Sequence, residues 1–465
     1  MAAPSSRGSR GRKAPREPSV RWRPGPRRRS SSSSAPTARG RRTASSRAPP
    51  PAACSSTRCR GIPASGRGSS RSATGRRRSA CGSPARRGPC SPSGSTSSSS
   101  ARRGSAARPA RDNGGAMRIV HVCQATTRGG LLRVAETLAR VQRARHEVAF
   151  ASPLVPGTDE LIAAHWPHGV DGNRALRALR ALRRRVTDWR ADAVIIHAGS
   201  PGEGAFAPLI LRRRWTVAIV EHAPDVFPLA RPLRDRVLFA IKRRADLWAA
   251  VSRAGARSIA RRAGVPEARI AVLENGVPAP PDIPPGDASL RLPFEAGPVL
   301  LGAGRPDAIK GFDLFVAAAR ELASRHPALR FLWVGGERAF EAEPVRVVPF
   351  TDRLGWMIRR ARAVVIPSRA EGLPALLLEA WAVRTPVLAA RVGGIPELTE
   401  RLGDDRWTFA PEDPARIAAA AEALLSDERL GIELAERGHA LWQERYTPEA
   451  MAQRWEDALT HATAS

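Results

Sequence analysis

Apolar positions between residues 117 and 465 follow two alternating patterns. Short β-branched runs predict buried strands, and the longer segments between them repeat apolar residues every three or four positions, which predicts helices. This alternation is typical of parallel sheets with helices on both faces, so we expect an α/β fold. The predicted strands are residues 118–123, 147–152, 193–197, 216–220, 247–251, 270–273, 299–302, 330–334, 345–348, 363–366, 386–389 and 408–409.

A proline-rich stretch at residues 278–285 separates these strands into two series. Because proline cannot continue a helix or a central strand, the stretch predicts an interdomain linker. We therefore expect an N-terminal Rossmann-like domain over residues 117–285 and a C-terminal one over residues 286–465, facing each other across a cleft. The last helix is expected to pack back on the N-terminal domain.

Residues 1–116 differ from the rest in composition. They consist mainly of Ser, Arg, Ala, Pro and Gly and carry +25 of the total net charge of +33, so we predict a disordered segment. Three interpretations are open: a cationic arm for nucleic acid or anionic lipid, a transit peptide, and a start site placed too far upstream. The third is favoured, since Met117 directly precedes the first predicted strand. Four of the five cysteines also lie here, at spacings that exclude a disulfide scaffold and match no zinc pair.

Charge is unevenly divided over the rest of the chain. Residues 117–290 carry a net charge of +11 and residues 291–465 carry −3, which assigns an anionic partner, including peripheral contact with an anionic membrane, to the N-terminal domain. A basic amphipathic segment at residues 174–185 could lie on a membrane, but packing of its leucines on the sheet is the favoured explanation. No apolar run predicts a spanning helix or a signal peptide, so we expect a cytoplasmic protein.

Lysine is rare in this chain, which makes Lys310 a candidate functional residue. Of 76 basic residues only Lys13, Lys242 and Lys310 are lysines. Lys310 follows the strand at residues 299–302, in a glycine-containing loop that also carries Arg305. A planar guanidinium and a compact ammonium at the carboxyl end of one strand suit a diphosphate.

Two glutamates lie eight positions apart around a predicted helix start. Pro374 and the apolar residues after it predict that Glu371 lies in the preceding loop and Glu379 in the second turn of the helix. Both carboxylates can then face the same side of the cleft, while the free N–H groups of the helix start point at a bound group. Gly393 and Gly394 predict a further turn suited to close approach of a ligand.

The order of these motifs resembles the glycosyltransferases of family 4, which have the GT-B fold. The matching motifs are Gly129-Gly130, His222, Asn275-Gly276, Gly304-Arg305 with Lys310-Gly311, Glu371-x7-Glu379 and Gly393-Gly394-x-Pro-Glu397. Each is modest by itself, whereas six in this order over nearly all of residues 117–465 are specific. The resemblance implies a retaining hexosyltransferase whose C-terminal domain holds a nucleotide diphosphate sugar as donor.

The resemblance also implies roles for the charged residues of the C-terminal domain. Arg305 and Lys310 would hold the donor diphosphate and stabilise the leaving charge. Glu379 would accept hydrogen bonds from the ribose hydroxyls, and Glu371 would contact hydroxyls of the transferred sugar. Neither a metal nor a cofactor is expected, since the chain has no Asp-x-Asp motif.

Other matching residues would complete the site. The Gly129-Gly130 loop would approach the phosphates or the acceptor, and His222 would lie at the reacting sugar. The remaining donor-site residues would be Gly304, Gly372 and Leu373. The chain departs from the family pattern at Leu373-Pro374, where an aromatic residue and a glycine are common, and at Arg384, which replaces a usual glycine.

Several functional choices stay open at this point. A nucleotide-sugar 2-epimerase of the same fold is one alternative, although it would need further acid/base carboxylates around the sugar. Nucleic-acid binding through the cationic tail is another, for which salt-dependent binding would be diagnostic; no specific nucleic acid is expected. For the transferase, the acceptor is open among a lipid-linked or polysaccharide glycan, a secondary metabolite and a small soluble sugar.

Overall fold

The computed structural model describes residues 115–123, 125, 129–152, 180, 182–200, 202–212, 214–222, 232–286 and 290–464. The predictions of disorder and of a misplaced start for the tail lie outside the described residues, as does most of the basic segment at residues 174–185. Within the described part, the strands form two separate sheets.

The first sheet has six parallel strands in the order β2-β1-β3-β4-β5-β6. All six strands predicted before residue 275 are confirmed, with ends that differ by at most one residue, because β-branched runs buried on both faces mark parallel strands clearly. The strands are β1 Arg118–Cys123, β2 Glu147–Ala151, β3 Ala193–Ala198, β4 Thr216–Glu221, β5 Leu247–Ala250 and β6 Ala271–Val272.

Helices connect these strands. The side chain of Ser252 caps α4 by accepting a hydrogen bond from the Gly255 N–H, and Gly264 in the left-handed region ends the helix. Residues 182–188 are also helical, and Leu182 is buried in the core cluster of the first sheet, which agrees with a packing role for that leucine. The helices are α1 Gly130–Gln142, α2 Ala207–Leu211, α3 Pro232–Lys242 and α4 Arg253–Ala263.

The second sheet has seven strands in the order β13-β12-β11-β7-β8-β10-β9. The six predicted strands are confirmed, and β9 is an additional short edge strand that pairs antiparallel to β10. Its three residues are largely exposed and form no apolar run, so the hydrophobic pattern did not reveal it. The strands are β7 Val299–Ala303, β8 Arg330–Gly336, β9 Phe340–Ala342, β10 Val345–Pro349, β11 Ala363–Ile366, β12 Val387–Ala390 and β13 Thr408–Phe409.

The last helix, α11, lies against α1 and against strands β4 and β5 of the first sheet. The buried face of α11 consists of Met451, Trp455 and Leu459. These side chains belong to a hydrophobic cluster that also contains residues of both sheets. The helices of the second half are α5 Phe312–Arg325, α6 Leu354–Arg360, α7 Ala375–Ala382, α8 Ile395–Leu402, α9 Pro414–Ser426, α10 Glu428–Arg445 and α11 Pro448–Ala464. Residues 278–285 form no regular element.

Each sheet has one place where the direction of the strand order reverses. In the first sheet β1 lies between β2 and β3, and in the second sheet β7 lies between β8 and β11. Loops that leave two such neighbouring strands run in opposite directions and open a crevice at the carboxyl ends of the strands, where α/β sheets bind ligands. The loops after β7 and β11 carry the predicted diphosphate and sugar residues.

Candidate active site

Lys310 and Glu371 meet at the crevice of the second sheet. Strands β7 and β11 pair directly, so the loops that follow them are neighbours. The Lys310 Nζ lies 2.6 Å from the Glu371 Oε1, and the same carboxylate oxygen accepts a hydrogen bond from the Ser368 hydroxyl at 2.7 Å. Because the lysine side chain is 31% exposed and the glutamate 10%, the pair is open to solvent on one side.

The loop after β7 is folded closely onto its own residues. Gly304 has a φ of 132°, and a Cβ there would lie 3.2 Å from the Lys310 Cγ. Its carbonyl oxygen accepts a hydrogen bond from the Trp333 Nε1 at 2.8 Å. Asp307 accepts from the Lys310 N–H at 3.0 Å, and pairs with the Nε of Arg305, also at 3.0 Å. Arg305 is therefore on the predicted loop, 61% exposed, and its partner in this structure is Asp307.

The turn from Glu371 to Leu373 touches both domains. A Cβ at Gly372 would collide with the carbonyl oxygen of His222. Only glycine therefore lets the backbone at residue 372 approach the backbone at residue 222 this closely. The Asn275 side-chain amide donates to the Leu373 carbonyl at 2.9 Å across the cleft. The N–H of Gly394 donates to the Gly372 carbonyl at 2.9 Å, so the second glycine turn, expected to receive a ligand, packs against the protein's own turn.

Glu379 lies on α7 and is 3% exposed. Its Oε1 is 2.7 Å from the Nη2 of Arg133, which comes from α1 of the first domain. Burial raises the pKa of Glu379, and the charge of Arg133 partly offsets that effect. A Cβ at Gly130 would lie 3.4 Å from the Cβ of Ala375, so the start of α1 adjoins the start of α7. The two predicted carboxylates thus have separate cationic partners, and Arg133 was missed by sequence reasoning.

His222 directly follows β4, and its backbone N–H donates to the carbonyl of Ala198 at 2.9 Å. The Nε2 of His222 lies 3.1 Å from the Nδ1 of His197, and the His197 Nε2 lies 3.0 Å from the Nδ1 of His121. The His121 Nε2 reaches the Gln142 Oε1 at 2.8 Å. Burial lowers the pKa of His121 and of His222 to about 4 and also lowers that of His197.

Sequence reasoning missed His121, His197 and Gln142. The available signal was the position of two histidines inside predicted apolar strands, where a charged imidazole is costly. In the structure β1 and β3 pair with Cys123 opposite His197, which puts the two rings on one face of the sheet. Only the register of the strands brings them together.

Two family models match the chain. "Glycosyltransferase Family 4" matches residues 128–279 and "Glycosyl transferases group 1" matches residues 297–427. The chain belongs to these glycosyltransferases. The resemblance in the sequence motifs is confirmed, and so is the GT-B fold expected from it.

Named relatives of this glycosyltransferase agree with the family. A D-inositol 3-phosphate glycosyltransferase of Acidothermus cellulolyticus is 36% identical over 32% of this chain and 39% of its own. A D-inositol 3-phosphate glycosyltransferase 1 of Catenulispora acidiphila is 29% identical over 59% of this chain and 75% of its own. The Anabaena protein HepE, solved with UDP and glucose, superposes with a TM-score of 0.59 at 18% identity, over 74% of this chain and 100% of its own. The chain thus spans less than half of the first relative and three quarters of the second.

Carboxylates of the glycosyltransferase join its two domains near the site. Glu397, on α8, accepts hydrogen bonds from the N–H groups of Arg253 at 2.9 Å and Ala254 at 2.6 Å, at the start of α4. The negative charge also suits the positive end of that helix. Glu274 is buried between Arg401 and Arg445. These contacts hold the two sheets in the arrangement that brings His222 next to Gly372.

Lys242 and Glu221 form a buried ion pair in the first domain, next to His222. Lys242 is fully buried, and its Nζ lies 2.6 Å from the Oε1 of Glu221, the residue before His222. The Trp248 Nε1 reaches the same oxygen at 3.4 Å.

Within the described ranges, no three His, Cys, Asp or Glu side chains are grouped to hold a metal ion. In the same ranges, no helix has the length and apolarity to cross a membrane.

Proposed function

We propose that this glycosyltransferase moves a sugar from a nucleoside diphosphate sugar to an acceptor hydroxyl with retention of the anomeric configuration and without a metal. The observation that carries the proposal is the contact of Lys310 with Glu371, at 2.6 Å, where the strand order of the second sheet reverses. A diphosphate and its sugar would enter between these side chains, the phosphate against the ammonium and the sugar hydroxyls against the carboxylate.

The leaving charge would be stabilised by fixed positive groups. Lys310 supplies one cation, and Arg305, which is 61% exposed and on the same loop, can turn from Asp307 to a phosphate. The start of α7 adds backbone N–H groups beside the same turn. Preorganised donors of this kind lower the barrier by about 3–4 kcal/mol for each group whose removal has been measured in other enzymes. This supports a transfer that needs no metal ion.

Retention is proposed from the family resemblance. Glu371 is held by Lys310 and Ser368, so it is not free to act as a nucleophile. In the proposed transfer the acceptor oxygen bonds to the anomeric carbon on the face that the diphosphate leaves. The carbon–oxygen bond to the diphosphate breaks, and the acceptor proton passes to the departing phosphate oxygen.

Glu379 would bind the ribose of the donor. Its carboxylate lies on the first turns of α7 and is held by Arg133 at 2.7 Å. The ribose hydroxyls would replace the guanidinium as hydrogen-bond donors, so Arg133 must turn away when the nucleotide binds. The Gly129-Gly130 loop, at the start of the same helix as Arg133, would then lie beside the phosphates.

The proposed acceptor is a small anionic polyol. Residues 117–290 carry a net charge of +11, which favours an anionic molecule in the first domain. Two relatives are named as D-inositol 3-phosphate glycosyltransferases, and a polyol phosphate fits this charge. A cytoplasmic location and peripheral contact with anionic membrane are part of the same proposal.

The first test is thermal unfolding of the full chain with UDP, GDP, ADP and dTDP, with Lys310→Met as control. A ligand that binds only the folded protein stabilises it by about 2.7 kcal/mol at a hundred times its Kd. We expect one nucleotide to raise the Tm of the wild type and not of Lys310→Met. A shift that survives in Lys310→Met would contradict the diphosphate site.

The second test is turnover of the matching glucose donor with D-myo-inositol 3-phosphate and with myo-inositol as a matched neutral acceptor. We expect a product of retained anomeric configuration, unchanged by a chelator, and faster transfer to the phosphate. An inverted product, or loss of activity with the chelator, would contradict the mechanism. Release of a sugar epimerised at its second carbon would favour the epimerase instead.

A further inference from the structure

Behind His222, three imidazoles and one amide form a continuous chain that the proposed transfer does not use. The links are His222 Nε2 to His197 Nδ1 at 3.1 Å, His197 Nε2 to His121 Nδ1 at 3.0 Å, and His121 Nε2 to Gln142 Oε1 at 2.8 Å. All four residues are at most 8% exposed. The chain therefore runs from the cleft into the core of the first domain.

The amide at the inner end fixes the direction of every hydrogen bond. A carbonyl oxygen only accepts, so His121 must carry its proton on Nε2. The Nδ1 of a neutral His121 is then an acceptor, which requires the proton of His197 on Nε2. By the same argument His222 donates its Nε2 proton to His197. Among the described residues, the hydrogen bond of the His222 ring is the one from its Nε2 to His197, which leaves the Nδ1 for a ligand. At the inner end, the Nε2 of Gln142 is buried without a partner among the described residues, and its carbonyl faces His121.

The surroundings keep the chain neutral. The charge of Arg143, the next residue after Gln142, disfavours a positive charge on His121. The rings that pack on the chain are Phe150 of β2, beside His121, and Trp455 of α11, beside His197. Among the described residues no carboxylate is bonded to any of the three imidazoles. An imidazolium therefore has no anionic partner here, in contrast to a histidine paired with an aspartate.

We infer that Gln142, His121 and His197 are positioning residues that hold the proton of His222 on Nε2, so that His222 meets the transferred sugar with a proton-free Nδ1. This rests on the proposed function only for the position of His222 at the reacting sugar. In this state His222 accepts a hydrogen bond from a substrate hydroxyl and cannot donate one. The opposite tautomer would present an N–H to the same hydroxyl and lose that contact.

Gln142→Glu is the sharpest variant, since it keeps the shape of the side chain and adds a negative charge. A carboxylate at the inner end stabilises a doubly protonated His121, whose Nδ1 then donates to His197. His197 must now accept on Nε2 and donate from Nδ1 to the Nε2 of His222. Because the Nε2 of His222 is then an acceptor, its proton must lie on Nδ1. The substitution is expected to reverse the tautomer of His222 from across the domain.

The tautomer can be read without activity. The full chain is labelled with 15N-histidine, and the signals of His222 among the nine histidines are assigned by their loss in His222→Asn. In the wild type we expect a proton-free Nδ1 on His222 at pH 7, and in Gln142→Glu a protonated Nδ1. Turnover is measured with UDP-, GDP-, ADP- or dTDP-glucose, whichever the wild type uses, and kcat should fall about ten- to hundredfold in Gln142→Glu with the donor KM unchanged.

Two further variants distinguish the effect of the hydrogen-bond direction from the effect of a nearby charge and from a loss of folding. Gln142→Met removes the carbonyl with little change in volume, so both tautomers of His222 should be populated. Arg143→Gln removes the neighbouring cation and leaves the carbonyl, so the tautomer should stay as in the wild type. These variants keep the inference testable even where a buried glutamate destabilises the fold.

Specific results would overturn the inference. A protonated Nδ1 on His222 in the wild type would do so, as would an unchanged tautomer in both Gln142 variants. A reversed tautomer with unchanged kcat would show that the chain does not position His222 for transfer. The proposed function fails in a different way: the tautomers behave as expected, but the wild type turns over none of the four glucose donors.

Discussion

In the first domain the polar side chains next to the cleft are buried and bonded to one another, whereas those of the second domain are bonded to groups that a ligand can replace. His121, His197 and His222 are neutral and form a continuous hydrogen-bonded chain with Gln142. Lys310 and Glu371 form a charged pair that is open on one side. In the proposed transfer, the first arrangement is fixed before a substrate arrives and the second is rearranged by the donor.

We propose that this difference reflects what each domain recognises in the proposed transfer. A charged diphosphate can replace one ion pair by another at little cost, because the desolvation of Lys310 is already partial. A neutral sugar or acceptor hydroxyl offers weaker hydrogen bonds, so its partner has to be oriented in advance. We expect substitutions in the first domain to act on protonation and stability, and those in the second domain to act on turnover and donor binding.

The largest expected effect is the loss of stability in acid that the neutral histidines cause. In the unfolded chain a histidine takes up its proton near pH 6.5, whereas burial lowers the pKa of His121 and His222 to about 4. Their stabilising contribution is therefore complete above pH 6.5 and declines as the pH falls towards 4. Between pH 7 and pH 5 each should cost about 2 kcal/mol of unfolding free energy, or about 4 kcal/mol for the two histidines together.

Denaturant unfolding at the two pH values measures this effect. His222→Asn should lose about 2 kcal/mol less than the wild type between pH 7 and pH 5. His461→Gln, at an exposed position of α11, is the matched control and should keep the wild-type difference. Equal pH dependence in His222→Asn and the wild type would mean that His222 is not held neutral.

The second effect concerns turnover in the C-terminal domain. Lys310→Met keeps the length of the side chain and removes its charge, so the leaving diphosphate loses one fixed cation. We expect kcat to fall about 10²- to 10³-fold, equivalent to about 3–4 kcal/mol. Steady-state kinetics with the donor identified by thermal unfolding provide the measurement. Arg416→Met, at a side chain 71% exposed, should leave kcat unchanged, and the proposed role of Lys310 is wrong if both variants behave alike.

The sequence predicted the fold and the second-domain loops because their signals are local. A β-branched run is recognisable in any strand buried on both faces, and Lys310 and Glu371 lie in the loops that follow two such runs. The short strand β9 has no comparable run, since Phe340 and Glu341 are exposed. Local sequence also does not show that Arg305 pairs with Asp307 in this structure.

The contacts of the first domain near the site join residues that are far apart in the sequence. His121 and His197 lie 76 positions apart, and only the pairing of β1 with β3 brings the Nδ1 of His121 to 3.0 Å from the Nε2 of His197. Arg133 reaches Glu379 only because the two domains close on each other. Strand register and domain closure are set by packing of the whole chain, so no motif at either position could have indicated these pairs.

A third effect should appear in donor affinity alone. Glu379→Gln keeps the shape of the side chain but replaces charged hydrogen bonds to the ribose by neutral ones. The difference is about 1 kcal/mol, so nucleotide affinity should fall about five- to tenfold with little change in kcat. Titration calorimetry with the nucleoside diphosphate measures it. Glu371→Gln is the contrasting variant, expected to lower kcat and leave nucleotide affinity unchanged; the opposite pattern would exchange the two assignments.

The smallest effect tests how the two domains meet. Arg133 holds Glu379 at 2.7 Å and is 38% exposed, so the pair that a ribose must replace stabilises the unliganded protein by about 0.5–1 kcal/mol. Arg133→Gln should therefore bind the nucleoside diphosphate about two- to fivefold more tightly in calorimetry, whereas Arg140→Gln, exposed on the same helix, should not. Weaker binding by Arg133→Gln would mean that the guanidinium stays on the bound donor. The first domain would then also supply an exchangeable charge, and the contrast between the two domains would hold only for the histidines.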